Sequence, residues 1–304
     1  MLRVRGGLTL VKDFPDIVTD IMPIAGTNAI LVRSGGKIYR LVDAQNGAIS
    51  AEIGITNGNK PVSYELWSDG YQMVMSFGGS LYIYDGVNLS VVDSQDAPTH
   101  VETLFTRSGR VIVCESNSDK IRYSGIGDPR KWIEGNNAAD AVSIDVGYKD
   151  GCNMKGITTM AGELIVFKAP DGQPEHGRIY RLQGDFPNWK VIPHSRGASA
   201  WNPQSVVNVG NDTLFLTREG LANLSTATEF GDYRLGWAGS KVNPRLSALL
   251  REGCRIWPLP IKGQIWVTTD GRNAETWIYH SQVGQGAWTQ FAFPGEVRSV
   301  CASG

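Results

Sequence analysis

The sequence predicts an all-β fold: a β-propeller of about six four-stranded blades, with a seventh allowed if the last strand belongs to another unit. Three observations predict it. A strand, glycine turn, strand unit recurs along the whole chain; apolar and polar residues roughly alternate within each unit; and 36 Gly, 9 Trp and 10 Tyr accompany few long helix-forming runs. Alternation at period two lets a strand bury one face. Four strands in a repeat of about 40 to 50 residues is the sequence signature of a propeller blade. Such a sheet is apolar on both faces, and radial stacking of several sheets buries them together. A β-sandwich, or a pair of them, also recurs at short spacing; the length of the repeat favours the propeller.

The units follow in order. Residues 29–41 are the first, with a Ser-Gly-Gly turn, and residues 72–84 the second, with Phe-Gly-Gly. Residues 101–113, 154–167, 204–216 and 255–267 complete the set. The turn glycines Gly36, Gly79, Gly109, Gly162, Gly210 and Gly263 stand 43, 30, 53, 48 and 53 residues apart. Second hairpins are expected where Arg178–Gln183 meets Trp189–Ile192 and where Thr276–His280 meets Ala287–Phe291. One short helix is expected over Asn243–Arg251, with Pro244 in its first turn and Gly253 as its stop. Residues 297–304 read as the opening strand of a further unit, completed either by ring closure against Leu2–Val11 or by a neighbouring chain; ring closure is favoured, because an unpaired apolar strand would invite aggregation. A single domain over residues 1–304 is expected.

The stretch Ile121–Trp132 stands out. A strand pair, Arg110–Cys114 with Lys120–Ser124, ends abruptly in a rigid corner built from Ser124, Gly127, Asp128, Pro129 and Trp132. Gly127 permits positive φ, Asp128 can cap its own turn, and Pro129 forbids a further ladder donor. Trp132 returns a large ring to the core. The corner is expected where one sheet ends and the next begins, with Arg130 and Lys131 on its exposed side as a contact pair.

Chemistry is looked for and is sparse. The 29 basic and 30 acidic residues give a net charge of −1, which argues against a general nucleic-acid binder but hides local distribution. Cys114, Cys152, Cys254 and Cys301 have no paired spacing and read as free thiols of a protein folded in a reducing cytosol. No stretch approaches the roughly 20 apolar residues of a membrane span, so membrane insertion is not expected. His100, His176, His194 and His280 lie far apart with no metal-ligand spacing, so neither metal nor cofactor is expected. No serine-hydrolase elbow occurs, and Ser34-Gly-Gly-Lys37 leads into a strand with Ile38 where a phosphate loop needs Ser or Thr. The enzymatic alternative is a carbohydrate-binding or glycoside-hydrolysing propeller, which needs carboxylates converging at the axis. Asp128, Asp150, Asp171, Glu175 and Asp270 are the loop candidates; acids in loops more often cap turns, so no catalytic residue is assigned.

The run Tyr123-Ser-Gly-Ile-Gly-Asp-Pro-Arg-Lys-Trp132 resembles a corner phrase of tail proteins from short-tailed bacteriophages. Asn136-Asn137, Ile144-Asp-Val-Gly147, Asp150-Gly151, Gly156-Ile157, Gly162–Lys168, Arg178–Gly184 and Arg218–Leu224 continue the likeness in order. It covers residues 100 to 225 well and the flanks by rhythm alone; the chain is short for the group. The resemblance implies a tail nozzle, head-to-tail connector or packaged-DNA stabilisation protein with a propeller core. It also implies a hexameric ring below portal and adaptor, in the virion tail, folded in the host cytoplasm and enclosing the channel through which double-stranded DNA passes. No active-site motif comes with it. A lining for passing DNA should not grip phosphate tightly. The loop Asp171-Gly172-Gln173-Pro174-Glu175-His176-Gly177 is the candidate gate, from its Gly and Pro content. An intracellular interaction propeller is a third reading, but the Gly-His…Trp-Asp signature of that class is missing.

Overall fold

Six four-stranded antiparallel sheets, each following the chain from first strand to fourth, make up the architecture. The computed structural model describes residues 12–301 apart from 25, 43–48, 68–71, 185–187, 210–211, 228–231, 237, 260–262, 270–274, 281–286 and 294–296. Blade 1 comprises β1 Val18–Pro23, β2 Ile30–Ser34, β3 Lys37–Leu41 and β4 Ile49–Ile55. Blade 2 comprises β5 Ser63–Trp67, β6 Gln72–Ser76, β7 Leu81–Tyr84 and β8 Leu89–Val91. Blade 3 comprises β9 Val101–Arg107, β10 Arg110–Glu115, β11 Lys120–Tyr123 and β12 Val142–Asp145. Blade 4 comprises β13 Asn153–Met160, β14 Glu163–Ala169, β15 Arg178–Gln183 and β16 Lys190–Arg196. Blade 5 comprises β17 Val206–Asn208, β18 Asp212–Thr217, β19 Gly220–Ala227 and β20 Asp232–Gly236. Blade 6 comprises β21 Arg255–Leu259, β22 Gln264–Thr268, β23 Glu275–His280 and β24 Ala287–Ala292.

The first strands of blades 2 to 6 abut in sequence and form the hub. Each core lies between blades, because successive residues of a middle strand face opposite neighbours. In β7, Tyr82 and Tyr84 pack toward blade 1 with Met22, Leu31 and Ile38, while Leu81 and Ile83 pack toward blade 3 with Val101, Val111 and Val113. In β14, Leu164 and Val166 join Ile112, Ile121 and Tyr123 of blade 3, whereas Ile165 and Phe167 join Phe215 and Leu224 of blade 5. A strand buried on both faces reads as a continuous apolar run, as Leu164–Phe167 does. Blades 5 and 6 share Leu214, Leu216, Ile256, Ile265 and Val267. The remaining face of blade 1 carries a smaller cluster of Ile30, Val32 and Leu41 with Phe14, Val18 and Ile21 against it.

Four expectations change. The first two expected hairpins join second to third strands, and the other four join first to second strands. The interval of 30 between Gly79 and Gly109 is therefore a shift of phase, and the blade count is six. The helix is a single turn, Asn243–Leu246, continued by turns: beyond it the Leu249 amide bonds three residues back, to the Leu246 carbonyl (2.9 Å), as Leu246 and Leu250 enter the core of blades 5 and 6. The corner after β11 lies within blade 3, between its third and fourth strands, rather than between sheets. Residues 297–301 form no strand; Ser299 Oγ accepts the inward-pointing Ile21 amide (3.1 Å), and Arg255 donates to the Arg298 carbonyl. The segment thus lies on the hub side of β1. Its expected partner, Leu2–Val11, and the turn residue Gly210 are outside the described residues.

Candidate functional site

First strands all begin on one face, and second-to-third-strand loops reach the same face, so the two loop sets ring the axis there. The result is a cavity of about 430 Å³ at the hub mouth, touched by five blades. Glu102 on β9 accepts from Lys60 and from Ser116 Oγ (2.8 Å). Across the mouth, Lys155 on β13 holds Asp171 at 2.5 Å, and Asn153 Nδ2 donates to the same carboxylate (3.1 Å). The Lys155 hydrogen bond keeps the Asp171 carboxyl below its ordinary value, against the opposing effect of burial. Gln204, in the short turn Pro203–Ser205, donates to the carbonyls of Pro61 (3.3 Å) and Val62 (3.2 Å), so the approach to blade 5 is tied to that of blade 2. Toward blade 1, buried Asp20 accepts the Val62 amide (2.9 Å) and faces Arg33 at 3.7 Å and Arg255 at 3.9 Å. Glu102 and Asp171 each have a lysine partner, an arrangement suited to polar recognition. No group of three His, Cys, Asp or Glu placed to hold a metal occurs among the described residues.

The predicted corner forms as a unit. Gly127 has φ of +72°, Asp128 Oδ1 accepts the Arg130 amide (2.8 Å), and buried Ser124 Oγ accepts the Val111 amide (2.9 Å). Trp132 is 1% exposed, donates Nε1–H to the Pro129 carbonyl (2.9 Å), and packs with Trp67, Val74 and Val101 between blades 2 and 3. Arg130 and Lys131 are exposed but engaged, with Ser90 at 2.9 Å and Asp140 at 2.7 Å. Buried Arg110, passed over in the sequence, donates to the carbonyls of Ser124 (2.5 Å), Asp140 (2.6 Å) and Ala138 and so fastens the loop to its strand.

The candidate gate joins β14 to β15 at the mouth rim. Asp171 reaches the cavity, Gly172 turns with φ of +69°, Pro174 is buried in the turn Pro174–His176, Glu175 meets Arg218 at 3.5 Å, and His176 is exposed. The four described acids do not gather. Asp128 caps its turn on the opposite face, Asp150 is buried beside Lys168, Asp171 and Glu175 have separate cations, and Asp270 is outside the described residues.

Sequence reasoning missed Lys168 as a focus. It is fully buried between blades 3 and 4, where Nζ meets Asp119 (2.7 Å), Asp150 (2.9 Å) and the carbonyls of Val146 (2.8 Å) and Gly147 (3.2 Å). Tyr180 donates its hydroxyl to the other Asp150 oxygen (2.8 Å). The available signal was a lysine closing the apolar run Leu164–Phe167.

No family model matches the chain, and no curated protein sequence matches it. Solved structures similar to it include U3-55K, with a TM-score of 0.57 at 11% identity over 95% of this chain and 86% of that one. The RRP9 WD40 repeats give 0.56 at 10% identity over 95% and 84%. A luciferin-regenerating enzyme gives 0.55 at 12% identity over 81% of each chain. Identities this low speak for the fold alone, and with the six radial sheets they establish that the chain is a β-propeller.

Proposed function

We propose that this chain is a structural subunit of a bacteriophage tail, a nozzle or head-to-tail connector component that works by shape and assembly. One observation supports the reading above others: the motifs that resemble tail proteins come together as ties between blades. The Tyr-Ser…Gly-Asp-Pro…Trp phrase becomes the corner that seats Trp132 between blades 2 and 3. The Val146-Gly147, Asp150-Gly151 and Lys168 elements meet around one buried ammonium between blades 3 and 4. Such ties make a stiff wedge, which suits a ring-forming subunit. In this reading the partners are other copies of the chain in a hexamer, portal or adaptor, and neighbouring tail proteins. Residues 297–301 lie on the hub side of β1, and in this reading passing duplex runs along the axis of the assembled ring. The test is negative-stain imaging of the chain assembled with neighbouring tail proteins: a six-fold ring supports the proposal, and a dispersed monomer that binds glycans overturns it.

The glycan reading draws on the polar mouth cavity with Glu102 and Asp171 on its wall. Glycan cleavage abolished by Glu102→Gln or Asp171→Asn would promote it.

A further inference from the structure

Directly paired residues on neighbouring strands present their side chains on the same face of a sheet. In blade 4, Lys168 of β14 pairs with Arg178 of β15, and Arg178 pairs with Arg196 of β16. Three cations therefore lie in one radial row on the face turned toward blade 3. At ordinary strand spacing the row is about 10 Å long. The innermost is neutralised by Asp119 and Asp150. Arg178 reaches Asp150 only at 3.9 Å, and that carboxylate already serves Lys168 and Tyr180. Arg196 is exposed and makes no ion pair among the described residues. Glu175, in the adjoining turn, is engaged by Arg218. Like charges placed directly opposite one another destabilise a sheet, so the outer row is short of anions.

The loop leading into blade 4 wraps the inner end of this row. Its Val146 and Gly147 carbonyls accept from Lys168, and the next residue, Tyr148, stands 66% exposed. Lys149 Nζ lies 5.1 Å from the Tyr148 ring centroid. A projecting aromatic ring beside Lys149 thus stands on the loop that wraps the inner end of a row whose outer members, Arg178 and Arg196, have little or no carboxylate of their own. A peptide adding to the outer edge is disfavoured, because Pro193 of β16 lacks an N–H and breaks the row of donors. Cations tracking a backbone beside a stacking platform are the combination that holds single strands, whose bases are free to stack.

We propose that this edge of blade 4, with its entering loop, binds single-stranded nucleic acid. Arg178, Arg196 and Lys149 hold phosphates and Tyr148 stacks a base. The inference goes beyond the tail-subunit reading and does not depend on it.

Fluorescence anisotropy with a labelled oligothymidylate tests it. Three phosphate contacts predict that log K falls against log salt with a slope of about −2. Arg196→Glu should weaken binding about tenfold or more and flatten that slope. Tyr148→Ala should weaken binding about tenfold with the slope unchanged. Lys37→Glu, on the same face of blade 1, should change affinity less than about twofold, and all variants should stay folded and melt within a few degrees of the parent protein, since exposed charges are worth little. Absence of binding at low salt would overturn the proposal, as would equal losses from Arg196→Glu and Lys37→Glu. A matched duplex that binds as tightly and ignores Tyr148→Ala would also overturn it.

Discussion

Replacing Lys168 by Met keeps the aliphatic stem between blades 3 and 4 and removes the ammonium. Two carboxylates, Asp119 and Asp150, then face one another across the vacated site, with the Asp150 side chain only 4% exposed. Removing one partner of a buried ionic cluster costs about 3–5 kcal/mol, most of it from charge left without compensation. The carbonyls of Val146 and Gly147 lose a donor as well. For a chain of this size about 2 °C of melting temperature accompanies each kcal/mol, so Lys168→Met should melt about 6–10 °C lower. Lys168→Met/Asp150→Asn should recover about half of that loss, since it removes one of the two orphaned charges. Thermal and denaturant unfolding followed by circular dichroism would measure both. A Lys168→Met protein within about 1 kcal/mol of the parent would refute the claim that this cluster ties the blades.

The same cluster carries a pH signature. Burial raises the Asp119 carboxyl, but its bonds from Lys168 and the Lys149 amide prevail and hold it below the ordinary 3.8. A lowered folded-state value means that the stability is fully present above the ordinary value and is lost as pH falls through the lowered one. Below pH 4 the parent should therefore lose stability more steeply than Lys168→Met does.

Trp132→Ala should cost about 3–5 kcal/mol, because a fully buried ring between blades 2 and 3 leaves a cavity that the stiff corner cannot close; denaturant midpoints would show it. Gly147→Ala should destabilise by about 1–3 kcal/mol, since φ is +64° and the added Cβ would stand 2.5 Å from the Tyr180 hydroxyl; Gly151→Ala, with positive φ but open space, should cost less in the same assay. Burial pushes the Glu65 carboxyl on the inner strand β5 up to about 7 from 4.5. The folded state then binds its proton more tightly than the unfolded chain, so this group's contribution declines as pH rises from 4.5 through 7. Glu65→Gln should be near neutral at pH 4 and stabilising by up to about 3 kcal/mol at pH 8, read from paired melts.

The repeat was legible because the physics that makes it is local. Period-two alternation, Gly at positive φ and β-branched or aromatic runs are all properties of a few adjacent residues, as at Val101–Val113 and Met154–Phe167. Which hairpin within a blade a turn belongs to is not local. Gly36 and Gly109 share a chemistry, yet one closes second onto third strand and the other first onto second. The corner was legible for the same reason as the turns: Gly127, Asp128 and Pro129 act within one turn. Its place inside blade 3 was not, because that depends on β12 returning after residues 124–141 to pair with β11.

The polar cores were the least visible part, and their logic explains why. Lys168 and Asp20 sit at the ends of blade-to-blade seams, where apolar packing stops and loop backbone begins. There, amides and carbonyls that leave the ladder still require partners. Lys168 supplies donors to Val146 and Gly147, and Asp20 supplies an acceptor to the Val62 amide. Arg33 likewise reaches the Gly58 (2.5 Å) and Lys60 (3.2 Å) carbonyls of the blade 1 to blade 2 connection while lying over the Phe77 ring. In each case a buried charge serves a chain crossing between blades, and its counter-charge comes from a residue distant in sequence. A buried ion at a blade seam therefore reports a crossing of the backbone. It does not by itself report a catalytic centre, and the described acids singled out from the sequence, Asp128, Asp150, Asp171 and Glu175, disperse into separate structural roles instead of converging on one point.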